Sequence, residues 1–210
     1  LVSVLVCVFF EWAYCRLMHK HCKVYDLSAV VTGVLLAFVC PVTIPYWCII
    51  IGDFFAIIVV KAIFGGIGRN IVNPALAGRA FLFSYPALMT NWVKPGVSNW
   101  AGIFSTADAV TGATPLAQMN KGMLPDATLS ELFLGNIGGC IGETSVLLLL
   151  AGLLYLLVRK VITWHTPVVF IATVFVLYLA FTGDVMMAVS QILAGGLFIG
   201  AIFMATDYVT

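Results

Sequence analysis

Charge is what this 210-residue sequence has least of. Ten Lys or Arg and nine Asp or Glu amount to 9% of it, against 62% hydrophobic residues. Soluble chains run at roughly 25% charged and 45–50% apolar, so too little polar surface is left here to face water. The net charge of +1 offers no basic excess for nucleic acid and no acidic tail. The six cysteines (Cys7, Cys15, Cys22, Cys40, Cys48, Cys140) contain no CxxC pair and do not read as a disulfide scaffold. His19, His21 and His165 lack metal-ligand spacing. A phosphate-cradling glycine loop, a Ser/His/Asp set and a nucleotide fingerprint are missing too. What remains is an all-α, polytopic membrane helix bundle.

A span needs about 20 apolar residues. Seven stretches qualify or nearly so: Leu1–Leu17, Leu27–Tyr46, Trp47–Phe64, Ile71–Trp92, Leu132–Val158, Trp164–Phe181 and Val185–Ala205. Together they read as one transmembrane domain over residues 1–210, interrupted by a single long polar loop, 93–130. The sequence opens inside an apolar run and reads as part of a longer protein. A secretory signal is not expected, because Glu11 and Trp12 interrupt the first run.

The few basic residues orient these spans, since Lys and Arg collect in cytoplasmic loops. Arg16, Lys20, Lys23, Lys61, Arg69, Arg159 and Lys160 fall on one side under strict alternation, which is seven of the ten. Lys94 and Lys121 fall on the other, with Asp108, Asp126, Glu131 and Asp184. The long loop is therefore expected to be extracytoplasmic. The segments Gly65–Asn70 and Gly138–Thr144 both pair glycines, then Ile-Gly, then two polar residues, ahead of runs that cross in opposite directions. That is the mark of an inverted repeat, or a chance match of two short glycine clusters.

Charges inside spans are costly and are functional candidates by default. Asp53, Arg79 and Glu143 qualify. Asp53 and Glu143 could ligate a cation beside freed backbone carbonyls; Glu143 could equally be an anion favoured at a helix N-terminus. Arg79 could snorkel to the inner face or serve a site with Asn70 and Asn73, which share its segment. Asn70 and Asn73 stand three apart, so their amides either bind a polar ligand or cap the helix opened by Pro74.

The loop carries Asp108-Ala-Val-Thr111-Gly112-Ala113-Thr114-Pro115. Small residues flank a threonine hydroxyl, and Pro115 biases Thr114 toward an extended backbone. In isolation this is an ordinary polar turn. It also matches the Asp-x-x-Ser/Thr-Gly-Ala-Thr flavinylation motif, and Phe64–Phe81, Gly138–Ser145, Asp26–Gly33 and Phe203–Thr210 fit the same family in order. Nearly the whole chain thus resembles the NqrB/RnfD family, the membrane subunits of the sodium-translocating NADH:quinone oxidoreductase and of the ion-translocating ferredoxin:NAD⁺ oxidoreductase (Rnf). Ser84–Trp92 and the compact loop resemble the Rnf version more. Cys140, where serine is usual, and Tyr208 depart mildly from the pattern.

The resemblance implies a urea-transporter-like fold with inverted repeats and about ten spans in the whole subunit. It implies FMN linked by a phosphoester to Thr114, with Asp108, Thr111, Gly112 and Ala113 completing the motif, and a second, non-covalent riboflavin for which Asn70, Asn73 and Arg79 are the expected contacts. Asp53 and Glu143 become candidates for an ion path for Na⁺ or H⁺; no resident metal is expected. The implied partners are the lipid bilayer, an extracytoplasmic FMN-bearing subunit, iron–sulfur membrane subunits and an NAD-binding cytoplasmic subunit, in a bacterial or archaeal cytoplasmic (inner) membrane. A channel of urea or ammonium type is the reading from another class, but a pore needs no flavin acceptor.

Overall fold

A computed structural model describes residues 1–19, 24–92 and 114–207. Within them the chain is all-α. It forms two compact units, Leu1–Thr90 with Asp207–Thr210, and Asn91–Thr206.

The first unit is built on α1 (Val2–Leu17), α2 (Ser28–Phe38) and α3 (Tyr46–Phe54). Helix α3 runs on as a π-helix over Phe55–Ala62, a form that is rare and concentrates at functional sites. Pro45 precedes α3 and Pro41 follows α2, where a ring without an N–H can only begin or end a helix. Helix α1 packs closely on α2: a Cβ added at Gly33 would stand 2.9 Å from Val4 Cα. Two further short helices, α4 (Pro74–Leu82) and α5 (Pro86–Met89), close the unit. Helix α4 lies against α3, with Gly78 facing the Gly52 carbonyl and Phe81 stacked on Phe55 at 4.4 Å.

The second unit comprises α6 (Pro115–Met119), α7 (Leu129–Leu134), α8 (Val146–Val158), α9 (His165–Thr182), α10 (Val185–Leu193) and α11 (Leu197–Ile199). The last continues as a π-helix over Gly200–Met204. Buried Met119, Leu132, Ile137 and Ala194 hold α6, α7 and α10 together. Val146, Phe198 and Ile202 join α8 to α11. Thr128 and Glu131 form a capping box at the head of α7. The Thr128 N–H and hydroxyl both donate to the Glu131 carboxylate and hold it below the usual carboxylate range.

Helix α9 is the clearest candidate span. Its 18 residues rise about 27 Å, near the thickness of a hydrocarbon core, and only 6% of them are buried. An exposed apolar helix of that length is a candidate membrane span. Among the described residues it is the one helix long and apolar enough to cross alone; α10 and α11 pass together as a pair bent by 65°.

Several spans expected as continuous helices are broken instead. Residues 71–92 hold only the nine-residue α4 and the four-residue α5, because Asn73-Pro74 and Pro86 each start a new helix. Residues 132–158 split at Gly135, whose φ of 97° terminates α7 in a left-handed cap, and helix resumes at Ser145–Val146. Residues 185–205 break at Ala194, which is extended. Helix α2 covers 11 residues of the 27–46 stretch, about 16 Å. Half-helices of this kind are the building blocks of ion and substrate sites in transporters.

Candidate functional site

Thr114 is the N-cap of α6. Its backbone is extended (φ −68°, ψ 154°), as Pro115 requires, and its Oγ1 accepts the Ala117 N–H at 3.2 Å. The hydroxyl proton has no acceptor among the described residues, and the side chain is half-buried. Helix α6 is itself held still. Leu116 and Met119 pack into the core with Leu132, and Gln118 exchanges two hydrogen bonds with Asp126, at 2.5 and 3.0 Å. Thr114 is thus a hydroxyl on a fixed base. Asp108, Thr111, Gly112 and Ala113 lie outside the described residues.

Asn73 caps α4: its Oδ1 accepts the N–H groups of Ala75 (3.0 Å) and Leu76 (3.3 Å). Its Nδ2 donates to Asp207 Oδ2 at 3.1 Å, across 134 positions of sequence. The capping alternative therefore holds for Asn73, with a tertiary tether added. Asn70 is buried just upstream, at the end of a turn in which Gly65, Gly66 and Gly68 all take positive φ, a region that favours glycine. Arg79 lies six residues after Asn73, on a different face of α4, with its guanidinium 5.7 Å from the Phe83 ring centroid.

The cap and the tether separate by mutation. Asn73→Ala removes both and should lower stability by about 1 kcal/mol for the cap alone. Asn73→Asp keeps the cap but sets a carboxylate against Asp207. The aspartate variant of the purified protein should melt below the alanine variant; the reverse order would show that the cap is all that counts.

Asp53 is fully buried near the end of α3. Its Oδ1 lies 2.7 Å from Ser3 Oγ and 3.2 Å from Cys7 Sγ, both on α1. Glu143 is buried in the second unit, in the irregular segment between α7 and α8, where its N–H donates to the Cys140 carbonyl at 3.1 Å. Lys61, which the sequence places with the loop cations, is 2% exposed and paired with Glu11 at 2.6 Å. It therefore drops out of the charges that orient the spans. Nothing in the sequence alone singles out Glu11 or Asp207 as partners of these residues. Glu11 is visible there only as a charge in an apolar run, and nothing local points to its partner.

The family model for NQR2, RnfD and RnfE matches residues 1–210. This chain belongs to that family. The D component of the Na⁺-translocating ferredoxin:NAD⁺ oxidoreductase complex of Acetobacterium woodii is 43% identical over 198 residues, covering 92% of this chain and 58% of the relative. The D component of the proton-translocating ferredoxin:NAD⁺ oxidoreductase complex of Clostridium ljungdahlii is 41% identical over 227 residues, covering 100% and 66%. The B component of the Na⁺-translocating NADH-quinone reductase of Pseudoalteromonas atlantica is 37% identical over 193 residues, covering 86% and 46%. The chain spans about three-fifths of the length of the two ferredoxin-linked relatives. Both ferredoxin-linked relatives are named as subunits of ion-translocating oxidoreductase complexes. The two ferredoxin-linked relatives, at 43% and 41%, are named for different ions, so likeness alone does not choose the ion.

Proposed function

We propose that this chain is the membrane subunit of an ion-translocating ferredoxin:NAD⁺ oxidoreductase and that Thr114 carries FMN through a phosphoester. FMN held there supplies an electron carrier on the outer side of the membrane. The observation that supports this most directly is the fit of Thr114 to the attachment. Its hydroxyl proton is unspent among the described residues, and its backbone sits on a helix fixed by Leu116, Met119 and Gln118. The role of Asp108, Thr111, Gly112 and Ala113 is to complete the sequence that a flavin transferase reads.

Asn70, Asn73 and Arg79 are assigned to a second, non-covalent flavin, riboflavin, on the family resemblance. The chain itself performs no hydride transfer to NAD⁺. That reaction belongs to a cytoplasmic NAD-binding partner, with iron–sulfur membrane subunits and an FMN-bearing extracytoplasmic subunit completing the relay. Moving one charge against 100 mV takes about 2.3 kcal/mol, so ion movement must be tied to the redox steps. Asp53 and Glu143 are assigned to the ion path.

The half-helices α4 and α8, each opened by a capping residue (Asn73, Ser145) after a glycine-rich segment, support an inverted repeat; the urea-transporter-like fold, seven spans here and an outward flavin loop rest on the family resemblance and on where Lys and Arg fall in the sequence. A quinone-linked role of the NqrB type is the second reading, favoured by the relative from Pseudoalteromonas. The test is direct. Protein made beside its flavin transferase, denatured and run on a gel, should give a fluorescent band; a dark band would sink the redox reading and leave a channel. Coupling of ferredoxin rather than quinone to NAD(H) in the purified complex would separate the first two readings.

A further inference from the structure

The polar groups buried in the first unit form a seam. On α1, Ser3, Cys7 and Glu11 recur every fourth residue and so share one face. Ser3 and Cys7 meet Asp53; Glu11 meets Lys61. Lys61 Nζ also donates to Ser28 Oγ at 2.6 Å, and the Ser28 hydroxyl donates to the exposed Asp26 at 2.6 Å. This end opens on a cavity of about 430 Å³ lined by Glu11, Tyr14, Asp26, Lys61 and Arg69. Cys7, Ala29 and Ile57 pack together as an apolar plug, with Ile57 four residues from both Asp53 and Lys61.

Proton counting at the deep end points to a neutral acid. Ser3 Oγ lies 2.8 Å from the Gly33 carbonyl oxygen and 2.7 Å from Asp53 Oδ1. A serine hydroxyl has one proton, and a carbonyl has none to give. With an ionised Asp53, the single Ser3 proton would have to be shared between two acceptors. With a carboxylic acid both are made: Asp53 O–H donates to Ser3 Oγ, and Ser3 O–H donates to Gly33. Both separations are those of O–H···O bonds, too close for a metal ion to stand among the same oxygens. Asp53 Oδ2 has no donor among the described residues, as suits a neutral acid.

We propose that Asp53 is a proton-binding site of the ion path, loaded from the Asp26–Arg69 cavity past the Lys61–Glu11 pair and held by the apolar plug. This rests on the redox-translocase reading and names the ion bound at that point. In the loading step an O–H bond breaks on a hydronium ion in the cavity and one forms on the Asp53 carboxylate; no electron moves. Of the charged or titratable groups on the elements packed against it, Cys7 on α1 meets Asp53 directly, while Glu11 on α1, Lys61 on the π-helical stretch and Arg79 on α4 stand farther along. Lys61 is spent on Glu11 and Ser28, and the Arg79 guanidinium lies over Phe83.

The test uses the whole complex in sealed membrane vesicles. A hydrophobic carbodiimide, which adds only to protonated carboxyls, should label the peptide containing Asp53. Labelling should fall as pH rises and be indifferent to Na⁺. Asp53→Asn, which keeps the shape and can still hydrogen-bond Ser3, should lose that label and the redox-driven pH change, while keeping the fluorescent flavin band. Protection by Na⁺, or a D53N complex that acidifies its vesicles as the parent does, would overturn the proposal. A parent protein with no flavin band would sink the redox reading instead, and the Asp53 label would still report on the site.

Discussion

Thr114→Ala will abolish the covalent flavin while leaving the protein folded. The hydroxyl is the only atom of the side chain that can form a phosphoester, so the loss should be complete. The structural cost is small by comparison. The substitution removes one cap bond, Ala117 N–H to Thr114 Oγ1, worth about 1 kcal/mol. Helix α6 keeps its hold through Leu116 and Met119 in the core and through Gln118 to Asp126. Thr114→Ser retains both the hydroxyl and the cap and should remain foldable and chemically competent. In-gel fluorescence after co-expression with the transferase reads the result. Fluorescence that survives in the alanine variant would move the attachment to another hydroxyl, with Thr111 the first to try.

Lys61→Met is the second large effect. The ammonium is 2% exposed, with Glu11 Oε1 and Ser28 Oγ both at 2.6 Å. Removing it leaves the Glu11 carboxylate buried without its counter-charge, and Glu11 Oε2 already has no partner among the described residues. Breaking such a pair costs about 3–5 kcal/mol, whereas replacing both partners by apolar residues of similar volume is close to neutral. The cavity beside Glu11 admits water and pulls the expected value toward the lower end. Lys61→Met should therefore sharply lower the melting temperature of the purified complex, and Glu11→Leu in the same protein should restore most of it. A single variant as stable as the parent would show that the pair is solvated. A double variant no better than the single would show that Lys61 acts through Ser28 rather than Glu11.

The difference between these residues and Thr114 shows where sequence reasoning reached. Thr114 was legible because its surroundings are consecutive: Pro115 sets its backbone, and the attachment motif runs unbroken from Asp108. Asn73 was legible as a cap for the same reason, since its two acceptor bonds go to residues two and three ahead. Lys61 is not legible in this way, because a lysine at the end of an apolar run looks the same whether it faces water or a buried glutamate 50 positions away. The helices are shorter than the apolar runs that hold them. Apolar composition measures affinity for lipid, and it does not register the left-handed turn at Gly135 or the extended backbone at Ala194. Those breaks leave half-helices where uniform spans were expected.

By itself the sequence determined the class of molecule, the family, and the residue expected to hold the flavin. Those depend on composition and on contiguous motifs, which need no knowledge of what packs where. Only the tertiary structure decided that Ser3, Cys7, Gly33 and Asp53 converge, that Glu11 neutralises Lys61, and that Asn73 reaches Asp207. Each depends on how one helix is rotated and set against another. A single residue of shift along α1 would turn its polar stripe by about 100° and leave Asp53 facing apolar side chains.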